Sequence, residues 1–400
     1  MTQAKMFDSL GVDLKILRIL KEKGFINPTP IQSQCIPEAI KGNDIVGIAQ
    51  TGTGKTLAYS VPMLQRLTSA RGQALVLVPT RELAIQVEEM IFKISKGLNI
   101  KTSTIIGGEP YHQQIRSLRS SPDIIIATPG RLIDHLKKKV FRLDKINMVV
   151  LDEADRMFDI GFLPEIKEIL SLTPKEKQVL LFSATMPNAI TDIAYAYMKI
   201  PVRIEVAPQG TVAENIIQEL FIVDNRSKIS LLQSVLKENK GTVLVFSRTK
   251  IGAKKISRAI AAMDDSAIEI HSDRSLFQRK EAIRGFKSGK YRILVATDIA
   301  ARGIDVSNIS LVINYDLPEN SGDYVHRIGR TGRAGSNGLA ISFVTPNQRR
   351  NIKQIERLIK KNISIKSLPK LDKVNQKVFD AMKNENEYKE YRHYRPRRSR

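Results

Sequence analysis

The stretch "DIVGIAQTGTGKT" at residues 44–56 decides the fold expected of this chain. Its apolar run at 44–49 predicts a strand buried on both faces, and the "LAYSVPMLQRL" that follows Thr56 predicts an amphipathic helix. Between the two, Gly52 and Gly54 allow successive backbone N–H groups to turn toward a phosphate at the helix N-terminus. Residues 49–56 therefore predict a P-loop in an α/β domain, with Ala49 in place of the first glycine of the strict pattern.

A P-loop would give its last two residues defined roles. Lys55 would meet the β- and γ-phosphates of a nucleotide, and the Thr56 hydroxyl would bind Mg²⁺. The alternative is a glycine-rich turn that precedes Lys-Thr by chance. The strand before it and the helix after it favour the P-loop.

Short β-rich runs alternate with helical patterns along the chain. Strands are predicted at 44–49, 74–80, 123–128, 148–152, 178–185, 242–247, 267–272, 292–298, 311–316 and 338–345. Helical patterns such as 81–95 and 348–361 separate or follow them. Because the strands are apolar throughout, they predict parallel sheets covered on both faces.

The alternation divides the chain into two halves. Residues 207–215 are small and polar and predict a linker. We therefore predict an α/β fold of two tandem doubly wound parallel-sheet domains, 1–206 and 216–365. Beyond them, 366–400 is predicted to be a basic, disordered tail.

The two halves also share a weak internal similarity. "VLVPTR" (76–81) and "VLVFSR" (243–248) both end a strand in a hydroxyl followed by Arg, and "IIIAT" (124–128) and "ILVAT" (293–297) both end in Ala-Thr. Ligands of open α/β sheets bind at the carboxyl ends of strands, so these residues would suit consecutive phosphates of one nucleic-acid strand. Chance similarity among common residues is the alternative.

The charge balance points to a polyanionic partner. Lys and Arg number 64 against 41 Asp and Glu, a net charge of +23, and residues 392–400 alone carry five Arg. Composition does not separate RNA from DNA. The single cysteine, Cys35, excludes an intrachain disulfide and fits a reducing compartment. No apolar run reaches the ~18 residues of a membrane helix and no signal-peptide core begins the chain, so a cytoplasmic protein is expected.

Acidic residues at the end of a predicted strand supply a partner for the P-loop. In "VVLDEAD" (149–155), Asp152 would hold Mg²⁺ and Glu153 would polarise an attacking water molecule. The alternative is an acidic pair at a helix N-terminus, where the macrodipole favours negative charge. The P-loop in the same domain and the hydroxyls of "SAT" (183–185) favour the catalytic interpretation.

The segment "HRIGRTGR" (326–333) crowds one His and three Arg, which repel one another unless an anion lies among them. One hypothesis is that it grips RNA phosphate. We favour the γ-phosphate of ATP, because the planar fork of Arg330 and Arg333 suits the equatorial oxygens of a transferring phosphoryl group.

Taken in order, these motifs resemble those of the DEAD-box RNA helicases, named for the tetrapeptide at 152–155. The resemblance runs from Phe7 to about residue 345. It rests on the motifs at 24–32, 49–56, 79–84, 107–108, 128–131, 152–155, 183–185, 245–250, 296–305 and 326–333.

The resemblance implies two RecA-like domains, ATP and Mg²⁺ as cofactors, and RNA held mainly by its backbone. It assigns nucleotide binding to Phe7, Phe25, Gln32, Ala49, Gln50, Thr51, Gly52, Thr53, Gly54, Lys55, Thr56, Asp305, Arg330 and Arg333. It assigns catalysis to Lys55, Asp152, Glu153, Ser183, Thr185, His326, Arg330 and Arg333. It assigns the metal to Thr56 and Asp152, and RNA contacts to Arg81, Gly108, Thr128, Arg131, Arg279 and Thr297.

Several of these roles are specific. Gln32 would read adenine, with the alternative that it only caps a neighbouring backbone group. Ser183 and Thr185 would couple the acidic motif to domain closure, and Asp305 would touch the ribose.

By the same resemblance, His326 and Arg327 would link to the acidic and "SAT" motifs. The chain departs from the family in "HSD" (271–273), where His-Gly-Asp is common. It departs again at Leu276, where the family commonly has Gln. This second departure bears on how Arg279 is held.

We predict a monomeric ATP-dependent RNA helicase, not bound to a membrane. RNA-stimulated hydrolysis would be coupled to interdomain closure and to local opening of short RNA duplexes or remodelling of RNA–protein complexes. Two alternatives stay open: an ATP-gated RNA clamp, whose sequence would look the same, and a DNA translocase.

Overall fold

Each half of the chain forms a parallel sheet of its own. The computed structural model describes residues 6–50, 52–70, 72–206, 216–301, 306, 309–332, 337–372 and 375–382. The chain divides into unit 1, Met1–Gln209, and unit 2, Gly210–Arg400. The division falls within the predicted linker, whose residues 207–215 lie outside the described part of the chain.

Unit 1 contains seven strands among its described residues, all paired in parallel in the order β3-β4-β2-β5-β6-β1-β7. They are β1 (Ile45–Ile48), β2 (Gln73–Leu77), β3 (Thr102–Ile105), β4 (Ile124–Ala127), β5 (Ile146–Asp152), β6 (Gln178–Ser183) and β7 (Val202–Glu205). The central strands are buried along their whole length, as their β-branched and aliphatic residues require.

Nine helices accompany this sheet within the described residues. They are α1 (Leu14–Glu22), α2 (Pro30–Ile40), α3 (Lys55–Ser69), α4 (Arg81–Ile94), α5 (Tyr111–Arg119), α6 (Pro129–Lys137), α7 (Ala154–Ile160), α8 (Leu163–Leu172) and α9 (Asn188–Tyr197), after a 3-10 turn at Phe7–Leu10. One core cluster joins strand residues such as Leu75 and Val149 to helix residues such as Ile169 and Ile193. The helices thus cover the faces of the sheet and leave the ends of its strands facing solvent.

Unit 2 repeats the same plan with seven described strands in the order β10-β11-β9-β12-β13-β8-β14. They are β8 (Ile216–Ile222), β9 (Val243–Phe246), β10 (Ala267–Ile270), β11 (Ile293–Ala296), β12 (Leu311–Asn314), β13 (Gly338–Val344) and β14 (Ser364–Lys366). Its described helices are α10 (Lys228–Glu238), α11 (Lys250–Ala262), α12 (Leu276–Lys287), α13 (Asp298–Ala301), α14 (Ser321–Ile328), α15 (Arg349–Ile359) and α16 (Gln376–Met382), with a 3-10 turn at Pro346–Gln348.

The two strand orders correspond one to one. Each strand of unit 1 has a counterpart seven strands later, so β2 matches β9 and β4 matches β11. These are the strands that end in the similar segments 76–81 with 243–248 and 124–128 with 293–297. The weak internal similarity of the sequence therefore marks equivalent positions in two copies of one fold.

The predicted α/β class and all ten predicted strands are confirmed, although nine of the strands are shorter than predicted and β5 begins two residues earlier than predicted. Four strands were missed: β3, β7, β8 and β14. Three of them, β3, β7 and β14, lie at a sheet edge with partly exposed residues, and β8 carries Gln218 and Glu219. Edge position and polar residues both weaken the apolar signal on which the prediction rests.

The prediction of disorder from residue 366 does not hold for 375–382. Helix α16 lies there and packs on α11. Its Val378 is 1% exposed and belongs to a core cluster of unit 2. The helix was overlooked because seven residues with one fully buried side chain give too short a periodic pattern. Residues 383–400 lie outside the described part.

Within the described residues, none of the helices combines the length and apolar character needed to cross a membrane.

Candidate functional site

The strand order of unit 1 brings three predicted motifs together. Strands β5, β6 and β1 are neighbours, and Asp152, at the end of β5, pairs with Phe182 of β6. The next residue, Ser183, pairs with Ile48 of β1, and its carbonyl accepts from Ala49 N at 3.0 Å. Because parallel strands end at one edge, the acidic motif, "SAT" and the P-loop meet there.

The P-loop has the backbone conformation that its glycines predict. Gly52 and Gly54 have φ of 89° and 91°, and a Cβ at Gly54 would lie 2.3 Å from Gln32 Nε2. Lys55 begins α3, and its buried Nζ donates to Ala49 O across the loop at 2.9 Å. Thr53 Oγ1 donates to Gln50 O at 2.8 Å. Thr51, also predicted to bind nucleotide, lies outside the described residues.

Gln32 connects the start of α2 to the P-loop. Its Oε1 accepts from Thr29 N at 2.9 Å, and its Nε2 donates to Gly54 O at 3.0 Å. The capping contact that was the alternative to adenine recognition is therefore present, together with a second contact to the P-loop. The side chain is 4% exposed, so both contacts are shielded from water.

The two predicted adenine neighbours differ in exposure. Phe7 is buried at 4% exposure in the turn that packs on α2, the helix that carries Gln32. Phe25 is partly exposed, and Lys93 Nζ lies 4.8 Å from its ring centroid. Phe25 thus retains surface for a ligand, whereas Phe7 is covered by protein.

Asp152 is a buried carboxylate with one free oxygen. Oδ2 accepts from Tyr59 OH at 3.0 Å, and Oδ1 has no hydrogen-bond partner among the described residues. Burial raises the pKa of Asp152 to about 6, although the charge of Lys55 opposes the rise. An unpartnered buried oxygen close to the first residues of α3 fits a divalent cation, with Thr56 as the neighbouring hydroxyl.

Glu153 is held in an unusual backbone conformation. Its φ of 54° and ψ of 51° lie in the left-handed region, which non-glycine residues rarely occupy and which is common at functional sites. Its Oε2 lies 2.8 Å from Arg156 Nη1, and both side chains are buried. The Arg156 guanidinium thereby fixes the direction of the Glu153 carboxylate.

Asp155 joins the acidic motif to "SAT", a role that sequence reasoning missed. Its Oδ2 accepts from Ala184 N at 3.2 Å, from Thr185 N at 2.8 Å and from Thr185 Oγ1 at 2.9 Å. Its own N–H donates to Ser183 Oγ at 3.1 Å. Ser183 and Thr185, predicted to couple the acidic motif to closure, are thus both bound to Asp155.

The other half of the same sheet edge carries the predicted RNA residues of unit 1. Strands β3, β4 and β2 are neighbours, and they are followed by Gly108, Thr128 and Arg81 respectively. The guanidinium of Arg81 lies so close to the glycine pair that a Cβ at Gly108 would be 2.5 Å from Arg81 Nη1. Gly108 also has φ of 82°. Glycine therefore suits this position for two reasons: the close approach of Arg81 and the left-handed backbone conformation.

Arg131 is oriented by its own set of contacts. Its Nη2 donates to Glu109 O at 2.9 Å, and its Nε donates to Gln114 Oε1 at 3.2 Å. The Tyr111 ring centroid lies 5.0 Å from the guanidinium carbon. These contacts hold Arg131 beside the loop after β3, next to Gly108.

Unit 2 places its predicted RNA residues after the corresponding strands. Thr297 follows β11 and donates its N–H to Ile270 O at the end of β10 at 3.3 Å, and Arg279 lies in α12 after β10. The departure at Leu276 has a local explanation. Leu276 is buried at 7% exposure, while Gln278 accepts from Ser275 N at 3.0 Å and caps the helix.

Arg327, which was predicted to link to the acidic and "SAT" motifs, makes its described contacts within unit 2. Its guanidinium is 2% exposed and makes a bidentate ion pair with Asp298 at 2.5 and 2.7 Å. Nη1 also donates to Asn314 Oδ1 at 3.1 Å and to Asp316 O at 2.5 Å. Through these contacts, Arg327 joins the segment that follows β11 to the end of β12 within unit 2.

The remaining predicted residues of unit 2 are described in part. His326 Nδ1 lies 3.9 Å from Asp323 Oδ1, and Arg330 is 3% exposed in the turn after α14. Arg333 and Asp305 lie outside the described residues.

Comparison with known proteins identifies the family. Residues 29–193 match the DEAD/DEAH box helicase model, and 227–335 match the model of the helicase conserved C-terminal domain. The DEAD-box ATP-dependent RNA helicase CshA of Bacillus subtilis is 41% identical over 369 residues, which cover 92% of this chain and 75% of that protein. The chain belongs to the DEAD-box ATP-dependent RNA helicases. The predicted family, an ATP-hydrolysing enzyme class, is thereby confirmed.

Two solved structures of DEAD-box helicases show the same fold. Dbp5 of S. cerevisiae bound to RNA and ADP BeF3 is 30% identical with a TM-score of 0.84, covering 95% of this chain and all of that one. Mss116p bound to ssRNA and AMP-PNP is 26% identical with a TM-score of 0.87, covering 96% of this chain and 84% of that one. The predicted pair of RecA-like domains is confirmed.

The buried Asp152 of this DEAD-box helicase predicts a stability effect with a defined sign. Its folded pKa of about 6 exceeds the ordinary 3.8, so folding is favoured by protonation and loses stability as the pH rises between those values. Above that window the charge costs about 2–3 kcal/mol. Asp152→Asn keeps an acceptor for Tyr59 without the charge. In EDTA at about pH 8, we expect its thermal midpoint to exceed that of wild type by several degrees.

The same comparison at about pH 4 is the control, because the wild-type carboxyl is then neutral in the folded protein and the difference should vanish. An Asp152→Asn midpoint below that of wild type at the higher pH would show that the buried charge is not a cost.

Proposed function

We propose that this helicase hydrolyses ATP when RNA is bound, and that the cycle opens short RNA duplexes locally or remodels RNA–protein complexes. One observation carries the proposal: a single sheet edge of unit 1 holds two adjoining residue groups. The ends of β5, β6 and β1 present Lys55, Asp152 and Glu153, and the ends of β3, β4 and β2 present Arg81 and Thr128. The Dbp5 structure with RNA and ADP BeF3 supports both ligands.

The proposed nucleotide contacts follow from the P-loop. Lys55 would leave Ala49 O and bind the β- and γ-phosphates, while the N–H groups of the loop cradle them. Thr56 and the free Oδ1 of Asp152 would hold Mg²⁺. Bound there, Mg²⁺ neutralises charge that develops between the β- and γ-phosphates.

Glu153 is the proposed base. A water molecule attacks the γ-phosphorus, its proton passes to the Glu153 carboxylate, and the bond to the β-phosphate oxygen breaks to give ADP and inorganic phosphate. The buried Arg156 pair, at 2.8 Å, keeps that carboxylate oriented. The hydroxyls of Ser183 and Thr185, bound to Asp155, would carry the change at the γ-phosphate to domain closure.

Unit 2 would complete the site. Arg330 and Arg333 are proposed to bind the γ-phosphate, Asp305 the ribose, and His326 the acidic motif. Arginines that arrive only on closure can accelerate phosphoryl transfer by roughly 10³–10⁵. The buried ion pair of Arg327 with Asp298 supports this, because it braces the segment that leads to Arg330.

RNA would lie along the matching strand ends of the two RecA-like copies. Arg81, Gly108, Thr128, Arg131, Arg279 and Thr297 are the proposed backbone contacts. Hydroxyls, backbone N–H groups and guanidinium groups bind phosphate without reading base identity. We therefore propose binding with little sequence preference.

We further propose a cytoplasmic monomer with domains at 1–206 and 216–365 joined by a linker at 207–215. The single cysteine, Cys35, is free and buried, as a reducing compartment allows.

The proposal predicts that ATP hydrolysis depends on RNA. Turnover should be slow alone, rise with single-stranded RNA, and rise little with DNA, because binding one strand across both units shifts the population toward closure. Steady-state ATPase with each nucleic acid, followed by strand displacement on a short RNA duplex, measures this. Equal turnover with and without RNA would contradict the mechanism. RNA-dependent ATPase without strand displacement would indicate a clamp, and equal stimulation by DNA a translocase.

Arg330→Ala, in the same assay, separates the two hypotheses for "HRIGRTGR". If Arg330 binds the γ-phosphate, turnover should be lost even at saturating RNA, while RNA affinity without nucleotide stays close to wild type. Weak nucleotide-free RNA binding with normal turnover at saturation would place Arg330 in the RNA site.

Gln32 provides a separate test of base recognition. An amide that donates to adenine N7 and accepts from N6–H matches adenine but not guanine, and its loss should cost ~1–3 kcal/mol of preference for ATP over GTP. Gln32→Ala should lose that preference in kcat/KM. Gln32→Glu is the matched control for the cap, since its Oε still accepts from Thr29 N; its carboxylate also accepts from N6–H and repels guanine O6, so it should keep a preference for ATP. Unchanged preference in Gln32→Ala would leave Gln32 with the capping role alone.

A further inference from the structure

Helix α15, Arg349–Ile359, has an apolar face and a strongly basic face. Ile352, Ile355 and Ile359 are buried in a core cluster shared with α14 and β13. The opposite face and the residues just after it expose six cations. They are Arg349, Arg350, Lys353, Arg357, Lys360 and Lys361. We call this surface the α15 basic face.

Acidic residues do not neutralise the α15 basic face. The one acid between 349 and 361 is Glu356, whose partly buried carboxylate accepts from Ile363 N at 2.9 Å. Across the described part of the chain, none of the six cations forms an ion pair. Elsewhere in unit 2, by contrast, Lys237, Lys250 and Arg292 each have an acidic partner.

This charge pattern opposes the stability of its own helix. Arg349 and Arg350 lie in the first turn, where the macrodipole disfavours positive charge. Arg349, Lys353 and Arg357 follow at spacings of four residues, where like charges repel one another. A face that only kept the protein soluble would mix both signs. The pattern therefore suits a polyanion, which would relieve both repulsions.

The position of the helix indicates which polyanion. Strand β13 ends at Val344 and α15 begins at Arg349, so the basic face starts at the sheet edge where Thr297 follows β11. From that edge it runs along the flank of unit 2, and each step of four residues rises about 6 Å. Successive cations can therefore meet successive phosphates of a strand that leaves the edge.

We infer that the α15 basic face binds the phosphate backbone of RNA that extends beyond the strand-end contacts. The inference rests on the proposed function, because it takes RNA as the bound polymer. The surface adds affinity for long RNA without base specificity, and it takes no part in hydrolysis. Short RNA that ends within the strand-end site does not reach it.

The test compares two quadruple variants with equal loss of charge. The first removes cations from the α15 basic face: R349Q/R350Q/K353Q/R357Q. The control removes exposed cations of unit 1: K15Q/R18Q/K21Q/K96Q. Glutamine has nearly the helix propensity of Lys and Arg, so neither change should unfold a helix. The probes are fluorescein-labelled oligouridylates of about 10 and about 40 nucleotides, followed by anisotropy over a salt titration.

We expect the α15 variant to bind the long probe at least about tenfold more weakly, with the slope of log K against log salt smaller by about 2–3. The short probe should bind as to wild type. The control variant should keep the wild-type slope on both probes. K353Q/R357Q, which leaves the first turn intact, should show about half the change in slope. The quadruple variant should melt no lower than wild type, because its repulsions are removed.

Equal losses in the α15 and control variants would overturn the inference, since net charge alone would explain them. A wild-type slope for the α15 variant on the long probe would also overturn the inference. This holds even if that variant no longer binds an acidic protein, because the bound polyanion would then be a protein and not RNA. ATPase stimulated by the short probe should stay at the wild-type level in the α15 variant. If the wild-type protein shows no RNA-stimulated ATPase, the proposed function fails. That outcome is distinguishable from failure of this inference, which is judged from the salt slope of RNA binding.

Discussion

Three hydrogen bonds converge on one carboxylate oxygen, Asp155 Oδ2, and the arrangement of the ATP site depends on them. They come from the segment after β6, whereas Asp155 follows β5. Two adjacent parallel strands are thereby joined just beyond their carboxyl ends. Asp155 is 4% exposed and its donors in Ala184 and Thr185 are partly buried, so loss of the carboxylate would leave these donors without a charge-assisted acceptor. Glu153 and Asp152, two and three residues earlier, take their positions from this anchored turn.

Buried charges around the P-loop are balanced only in part before ligands bind. Lys55 donates to a backbone carbonyl, and Asp152 keeps one oxygen that has no partner among the described residues. These are the groups that phosphate and a divalent cation would satisfy. Arg156, in contrast, is buried, and its Nη1 is paired with Glu153 Oε2 within the protein. The site therefore contains two kinds of group. Lys55 and Asp152 are available to ligands, whereas Arg156 positions a neighbouring side chain.

The sequence allowed the strand-ending residues to be identified because apolar runs and glycines carry a local signal. Lys55, Asp152 and Ser183 could be placed at one edge from strand order in a doubly wound sheet. Asp155 and Tyr59 could not, because their roles depend on hydrogen bonds to residues 28 or more positions away. The Asp298 partner of Arg327 could not be predicted for the same reason: it is brought near only by the pairing of β11, β9 and β12.

The claim that Asp155 organises the site is tested most directly by the kinetics of Asp155→Asn at saturating RNA. An amide cannot accept all the hydrogen bonds that the carboxylate accepts, and losing one charge-assisted bond costs roughly 1.5–3 kcal/mol. We therefore expect the ATPase kcat to fall about tenfold to a hundredfold. KM for ATP should stay close to wild type, because the P-loop is untouched. A wild-type kcat in Asp155→Asn would contradict the account.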